Sequence, residues 1–403
     1  MSLQQTAAMI EAQDCRVVVR RVVGPEATEL FFQCQPTAAG ASAERQAEAA
    51  YRAMFAVLEG EGGSPASIVC ETLFFQNLRA DLPSVRAARR RVVAAAGGSA
   101  HRAAITEIEQ PPLDPRVRLE LAAQAIVAHG PAPAVDVFEP EHVCPCAECA
   151  RSHGLRVRLG DEARLYAGGL CGPGEDAEEQ ARATFEGAER LLRRAGMDFR
   201  DVVRTWIHLR DIDRDYAALN RARRAFFAAR GIDPAPASTG IGGAPAGEAH
   251  GLSLGLYALK TSQPRSRSPM SASTLNEAPE YGADFVRGMR LVETNKVALH
   301  SPGPRASAGG PNGACRGLRL ARRSACFRRA ALLEAQGAGF SDVVSAVTYL
   351  KRPADAERLR RSSAIVDTRD SRTCWSRLDL SPRTAVRNRG AGDSARSRGV
   401  ALG

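Results

Sequence analysis

One apolar segment of eight residues occurs three times in this chain, at a long and nearly constant spacing. The copies occupy residues 68–75, 202–209 and 343–350, so consecutive copies begin 134 and 141 residues apart. Each copy is rich in β-branched, aromatic and other apolar residues between polar segments, which predicts a buried strand. A repeat of this period predicts three whole units in tandem and excludes a solenoid built from short repeats.

Helix signals surround each predicted strand. A glycine lies six residues before every copy, at Gly62, Gly196 and Gly337. Glycine adopts the left-handed conformation at little cost, and it therefore commonly ends a helix. Apolar residues at helical spacing precede the first two glycines, and a second helical segment, clearest at 216–229, follows each strand. Each unit is thus expected to alternate helices and strands.

Basic residues are concentrated in the last quarter of the chain. Residues 301–403 contain 20 Lys and Arg against 8 Asp and Glu, whereas the first 300 residues contain 35 against 37. Gly, Ala, Pro, Ser and Arg make up 24 of the 30 residues at 301–330, and the codons of Gly, Ala and Pro and most codons of Arg are GC-rich. We hypothesise that 301–328 and 362–403 are frameshifted, and we expect no strand at 365–403.

A disordered basic tail that binds RNA is the alternative explanation for this composition. Trp375 is the only aromatic residue after Tyr349, so the tail offers almost nothing on which bases could stack. Nucleic acid is therefore not the expected partner.

Residues 196–227, GMDFRDVVRTWIHLRDIDRDYAALNRARRAFF, resemble the YjgF/Rid superfamily in their glycine, strand and following helix. The resemblance implies an α/β (α+β) fold, with a mixed sheet backed by two helices in each unit, and trimers with ligand clefts between units. Three units in one chain would form an intramolecular pseudo-trimer, which we expect to be a monomer. The predicted organisation is unit one at 1–130, a Cys-rich linker at 131–154, unit two at 155–262 and unit three at 275–403.

Units two and three contain the signatures Arg204-Thr205-Trp206, GIDPAPASTGIGG at 231–243 and EYGADFVRG at 280–288. On these residues they resemble the chorismatase branch of that superfamily more specifically. Chorismatases hydrolyse the enolpyruvyl ether of chorismate, a dicarboxylate, in the synthesis of aromatic metabolites. The resemblance assigns substrate binding to Arg223, to Thr239 and Gly240 in a glycine-rich bend, and to Tyr281 and Arg287. An arginine fork suits a carboxylate, and the N–H groups of such a bend can approach an anion closely. The alternative is a solvated arginine on a helix beside an ordinary turn.

No catalytic residue is assigned. Ether cleavage needs a proton donor, and the resemblance implies a glutamate on the last strand of the last unit. Residues 371–403 contain no glutamate. The leading hypothesis is a chorismatase-like hydrolase, and the missing glutamate leaves open whether the chain as written is active.

Two other functions stay open. Arg102 and Glu120 match the positions at which Rid-type enamine and imine deaminases bind a substrate carboxylate and position water. Unit one could therefore carry such an activity, although an exposed pair of charges at the ends of strands explains these residues without any ligand. The third hypothesis is a non-catalytic protein that binds small carboxylates.

A cluster of cysteines in the predicted linker suggests a structural metal. His142, Cys144, Cys146 and Cys149 place four ligands that zinc accepts within eight residues. Reduced thiols in a surface linker are the alternative. Gly251–Gly255 matches the G-x-S-x-G motif, but the alternation of apolar residues that follows predicts a strand and excludes a nucleophile elbow.

The remaining expectations concern cofactors and location. No nucleotide-binding glycine motif precedes a predicted helix, so we expect no cofactor for catalysis. No apolar run is long enough to span a membrane, and the first residues lack a basic region followed by an apolar one. We therefore expect a cytoplasmic protein with a small carboxylate as its ligand and no membrane partner.

Overall fold

The structure is a computed structural model of the chain. It describes residues 4–98, 102–140, 146, 152–261, 267–271, 285–286, 288–293, 296–301, 330–347 and 349, together with the backbone of 382–388. Most of the two segments assigned to a frameshift therefore lies outside the described residues.

The first sheet carries two helices on one face. In chain order its elements are β1 (Gln4–Ala12), β2 (Cys15–Val23), β3 (Ala27–Pro36), α1 (Ala43–Gly60), β4 (Ile68–Phe75), α2 (Leu78–Ala95), β5 (Ala104–Glu109) and β6 (Leu119–Ala128). The strands lie in the order β1-β2-β3-β6-β4-β5, and only β4 and β5 are parallel. The apolar faces of both helices pack on this sheet in one continuous core.

The second unit repeats this plan around its own sheet. Its elements are β7 (Ala134–Phe138), β8 (His153–Leu159), β9 (Glu162–Leu170), α3 (Ala177–Arg194), β10 (Val202–Leu209), α4 (Ile212–Arg230), β11 (Ala237–Gly242), β12 (Ala244–Pro245) and β13 (Leu252–Thr261). The order is β11-β10-β13-β9-β8-β7, with β10 and β11 parallel. Strand β7 lies inside the segment predicted as a linker. Its backbone pairs with β8, so this part of the segment belongs to the second sheet.

The third sheet has five strands in the described residues. They are β14 (Arg267–Pro269), β15 (Met289–Val292), β16 (Lys296–His300), β17 (Val343–Ala346) and β18 (Pro382–Asn388), in the order β14-β15-β16-β18-β17. The expectation of no strand at 365–403 is wrong, since β18 fills the gap between β16 and β17. Ladder hydrogen bonds come from the backbone, so a segment of poor strand propensity can still complete a sheet.

The repeated segments form the expected elements in the first two units. Strands β4 and β10 coincide with the predicted segments, and β17 covers only the first half of the third. The glycines Gly62, Gly196 and Gly337 all adopt positive φ angles, of 76°, 71° and 69°. The long strand β13 also confirms that the G-x-S-x-G match is not a nucleophile elbow.

Each sheet contacts the other two. Strand β12, from the second unit, pairs with β5 at the edge of the first sheet. Ala237 of β11 forms a parallel bridge with Val286, and Gln33 Nε2 of β3 donates to the carbonyl oxygen of Ala346 at 2.9 Å. The inner faces share one apolar core with members from all three sheets: Ala27, Val69, Ala104, Ile126, Leu155, Val157, Tyr166, Val203, Ala237, Tyr257, Met289, Leu291 and Ala298.

None of the helices in the described part of the chain is both long and apolar enough to cross a membrane.

Candidate functional site

Arg223 is buried where the second unit meets the segment that begins the third. It lies on α4 and is 3% exposed. Its Nη1 donates to Oγ of Ser238 at 3.3 Å, and its Nη2 donates to Oδ1 of Asn220 at 2.8 Å. The guanidinium carbon lies 5.2 Å from the centre of the Phe285 ring. The alternative of a solvated helix arginine is therefore wrong.

A second arginine, Arg204, approaches the same strand. It lies on β10 and is 1% exposed. Its Nη2 donates to Oγ1 of Thr239, and its guanidinium carbon is 5.1 Å from the centre of the Trp206 ring. The sequence places Arg204 in a family signature and gives it no role, although an arginine inside an otherwise apolar strand was a signal that could have singled it out.

Thr239 and Gly240 belong to a strand, and the prediction of a glycine-rich bend is wrong. They lie in β11, opposite Trp206 and Ile207 of β10. Gly240 serves packing, because a Cβ there would lie 2.9 Å from a ring carbon of Tyr216. The N–H groups of such a bend are therefore not available here to approach an anion.

Five polar side chains form what we call the β11 cluster: Arg204, Thr205, Arg223, Ser238 and Thr239. Oγ1 of Thr205 donates to Oγ of Ser238 at 2.8 Å, and all members but Thr239 are buried. Consecutive strand residues point to opposite faces, so the two arginines reach β11 from its two sides. Tyr281 and Arg287, the other predicted members of the site, lie outside the described residues.

The two predicted residues of unit one are not brought together within their own sheet. Arg102 is exposed just before β5, and Glu120 is buried near the start of β6, where it accepts a hydrogen bond from Gln35 at 3.2 Å. Along β4, Cys70 pairs with Ala104 at one end and Phe74 with Glu120 at the other. Arg102 lies two residues before Ala104, so about six residues of strand separate Arg102 from Glu120 along the sheet. At ~3.3 Å per residue this distance is roughly 20 Å.

Cys146 is the only predicted zinc ligand among the described residues. Its Sγ lies 3.2 Å from Nε2 of His250, a buried histidine just before β13. His142, Cys144 and Cys149 lie outside the described residues. Within the described ranges no three candidate ligands come together, so the zinc site stays a prediction.

The sequence gives no warning of a buried charged network, which we call the central ionic cluster. Arg164 Nη1 lies 2.8 Å from Oε1 of Glu29, and its Nη2 lies 2.6 Å from Oε2 of Glu162 and 3.2 Å from Oε2 of Glu293. Lys296 Nζ contacts Oε1 of Glu29 and lies 3.1 Å from Oε2 of Glu293. The cluster thus joins one residue of the first unit, two of the second and two of the third.

The pKa values of two carboxyls of this cluster shift in opposite directions. Burial alone would raise the pKa of Glu29, but Lys296 and Arg164 overcome this and lower it. Burial raises the pKa of Glu293, and the same two cations only partly oppose the effect. Three carboxyls face two cations here, so Glu293 holds the charge that the cations balance least.

The match to a family model lies in the second unit. Residues 163–248 match the family model described as Endoribonuclease L-PSP. A comparison with curated protein sequences gives no match.

Several solved structures are similar to parts of the chain. A chorismatase is 16% identical over 62% of this chain and 78% of its own, with a TM-score of 0.45. A YjgF family member from Neisseria meningitidis is 23% identical over 32% of this chain and 98% of its own, with a TM-score of 0.25. A member of the YjgF/YER057c/UK114 family from Mycobacterium tuberculosis is 29% identical over 26% and 83%, with a TM-score of 0.21.

The family match covers β9, α3, β10, α4 and β11, which are the elements that carry the β11 cluster. The second unit is therefore similar to the family described as Endoribonuclease L-PSP.

Proposed function

We propose that the β11 cluster binds a small carboxylate and that the chain is a chorismatase-like hydrolase. The observation that carries this proposal is the burial of Arg223 between α4, Ser238 and Phe285. These neighbours offer a hydroxyl and an aromatic ring. A guanidinium fork beside them can form charge-assisted hydrogen bonds with a carboxylate, which are stronger than hydrogen bonds between neutral groups.

The chemistry of the cluster suits a substrate like chorismate, which carries two carboxylates on a small ring. Arg223 would hold one carboxylate by its fork, while the hydroxyl of Ser238 offers a further donor. The ring of Phe285 provides an apolar wall against which a carbocycle can pack. Arg204 lies on the other face of β11, so the same small ring does not reach both arginines.

The first experiment measures chorismate binding by isothermal titration calorimetry. Losing a charge-assisted contact typically weakens binding by about tenfold or more, so we expect that loss for Arg223→Ala. Arg223→Lys keeps the charge without the fork. Its affinity for chorismate should lie between those of the original chain and of Arg223→Ala. Arg224→Ala, which removes an exposed arginine one position further along α4, is the matched control.

Pyruvate release from chorismate tests the second half of the proposal. Release by the original chain and its loss in Arg223→Ala support a hydrolase. Binding without release contradicts hydrolysis and leaves a carboxylate-binding protein. Equal affinity of the original chain, Arg223→Ala and Arg223→Lys contradicts both parts.

A further inference from the structure

A cavity of about 100 Å³ lies among the inner faces of the three sheets. Its lining includes Thr106 and Gln124 from the first sheet, Tyr166 and Tyr257 from the second, and Glu293 between β15 and β16. A cavity of only about 10–15 Å³ holds one water molecule, so this one has room for a small organic molecule. It is separate from the contacts of Arg223 with Asn220, Ser238 and Phe285.

Polar atoms of this lining have unused hydrogen-bonding capacity. Tyr166 and Tyr257 are 5% and 7% exposed, yet neither hydroxyl forms a hydrogen bond with any residue that the structure describes. Glu293 is 3% exposed, and its Oε2 is the oxygen that meets both Arg164 and Lys296. Its Oε1 accepts no hydrogen bond within the described ranges. Buried tyrosine hydroxyls and carboxylates normally have partners, so a ligand or water is expected at these atoms.

The charge of the cavity wall selects the kind of ligand. Arg164 and Lys296 already direct their donors at Glu29, Glu162 and Glu293, which leaves no cation of the central ionic cluster to attract an anion. The third carboxylate is the excess charge of the cluster. Aromatic faces also attract cations, and the rings of Tyr166 and Tyr257 lie 5.1 Å apart at this wall.

We propose that the central cavity binds a small organic ammonium ion. Oε1 of Glu293 accepts a hydrogen bond from the ammonium group and supplies the opposite charge. The hydroxyls of Tyr166 and Tyr257 accept its other N–H bonds, and their rings contact its carbon atoms. This site does not depend on the carboxylate proposed at the β11 cluster.

The test measures the binding of three probes of similar size to the full chain, by isothermal titration calorimetry at neutral pH. The probes are n-propylammonium, the anion butyrate and the neutral alcohol 1-butanol. We expect one n-propylammonium per chain, bound at least about tenfold more tightly than butyrate, because the excess charge of the wall is negative. Failure of n-propylammonium to bind at millimolar concentration, or preference for butyrate or 1-butanol, overturns the proposal.

Two variants locate the binding site. Glu293→Gln should weaken n-propylammonium binding by about tenfold or more, since a hydrogen bond to a charged group is lost. This variant leaves two carboxylates against two cations, so the cluster stays balanced. Tyr257→Phe keeps the ring and removes the hydroxyl, and it should weaken binding by about threefold or more.

Glu59→Gln changes an exposed glutamate at the end of α1 and should bind like the original chain. If Glu293→Gln does not fold, Tyr257→Phe decides alone. Unchanged affinity in every variant that folds overturns the proposal.

Discussion

The central ionic cluster shows how a single side chain can tie three parts of a fold together. Glu29, in the first sheet, contacts both Arg164 of the second sheet and Lys296 of the third. Its lowered pKa means that its ionised form is favoured by folding. Its contribution to stability is therefore complete above its ordinary pKa and is lost as the pH falls toward its lowered value in the folded chain.

Replacing Glu29 tests this role. Glu29→Gln should lower the free energy of unfolding at pH 7 by about 3–5 kcal/mol, because it leaves two buried cations short of a partner. Urea denaturation measures the change, and the difference from the original chain should narrow below about pH 4, where the carboxylate of the unfolded chain becomes protonated.

Glu293→Gln is the matched control for Glu29→Gln. The raised pKa of Glu293 means that its protonated form is favoured by folding, so its contribution is present at low pH and is lost as the pH rises. The neutral glutamine should therefore cost less at pH 7 than Glu29→Gln does. An equal or larger loss would contradict the assignment of the excess charge to Glu293.

At the scale of elements, sequence patterns predict the strands that are buried on both sides and miss what lies between them. β4 and β10 follow from apolar runs alone, and Gly62 and Gly196 mark the turns after the helices. A charge inside a strand, such as Arg164 in β9, has only one of its partners, Glu162, nearby in sequence. Its contacts with Glu29 and Glu293 depend on how whole sheets pack, which local periodicity does not encode.

The contact between β5 and β9 depends on one residue without a side chain. A Cβ at Gly168 of β9 would lie 2.4 Å from the carbonyl oxygen of Ile105 and 2.8 Å from Oγ1 of Thr106. Backbone atoms cannot yield as a flexible side chain can. Gly168 therefore permits the close approach of the first and second sheets.

Gly168→Ala should lower the free energy of unfolding by about 1–3 kcal/mol, because overpacking forces the two strands apart. Gly130→Ala is the matched control, since a Cβ there meets nothing within 4 Å. Thermal unfolding followed by circular dichroism compares the two variants. Equal melting temperatures for both would show that the sheets do not pack as closely as described.

On the scale of the whole molecule, the three sheets cover one another inside a single chain. β12 caps the edge of the first sheet, Val286 bridges to β11, and Gln33 binds the backbone of β17. These contacts join the three sheets within one chain. We therefore predict that the chain is a monomer in solution.

Light scattering coupled to size-exclusion chromatography should give a molar mass near 43.0 kDa, the mass of one chain. A mass of two or three chains, persisting on dilution to micromolar concentration, would contradict this prediction. The number of units could be predicted from the repeat, whereas the strand exchanged through β12 could not, because two residues carry no periodicity.

The mixed charges of the central ionic cluster have a consequence for how such a chain can evolve. An assembly of identical subunits must place the same residue three times around its axis, and three glutamates or three arginines at that place would repel one another. A fused chain escapes this symmetry, so Glu29, Arg164 and Lys296 can each come from a different repeat. Because each repeat now supplies a different charge, three copies of any single repeat could not rebuild this cluster. Separating the repeats again would therefore lose it.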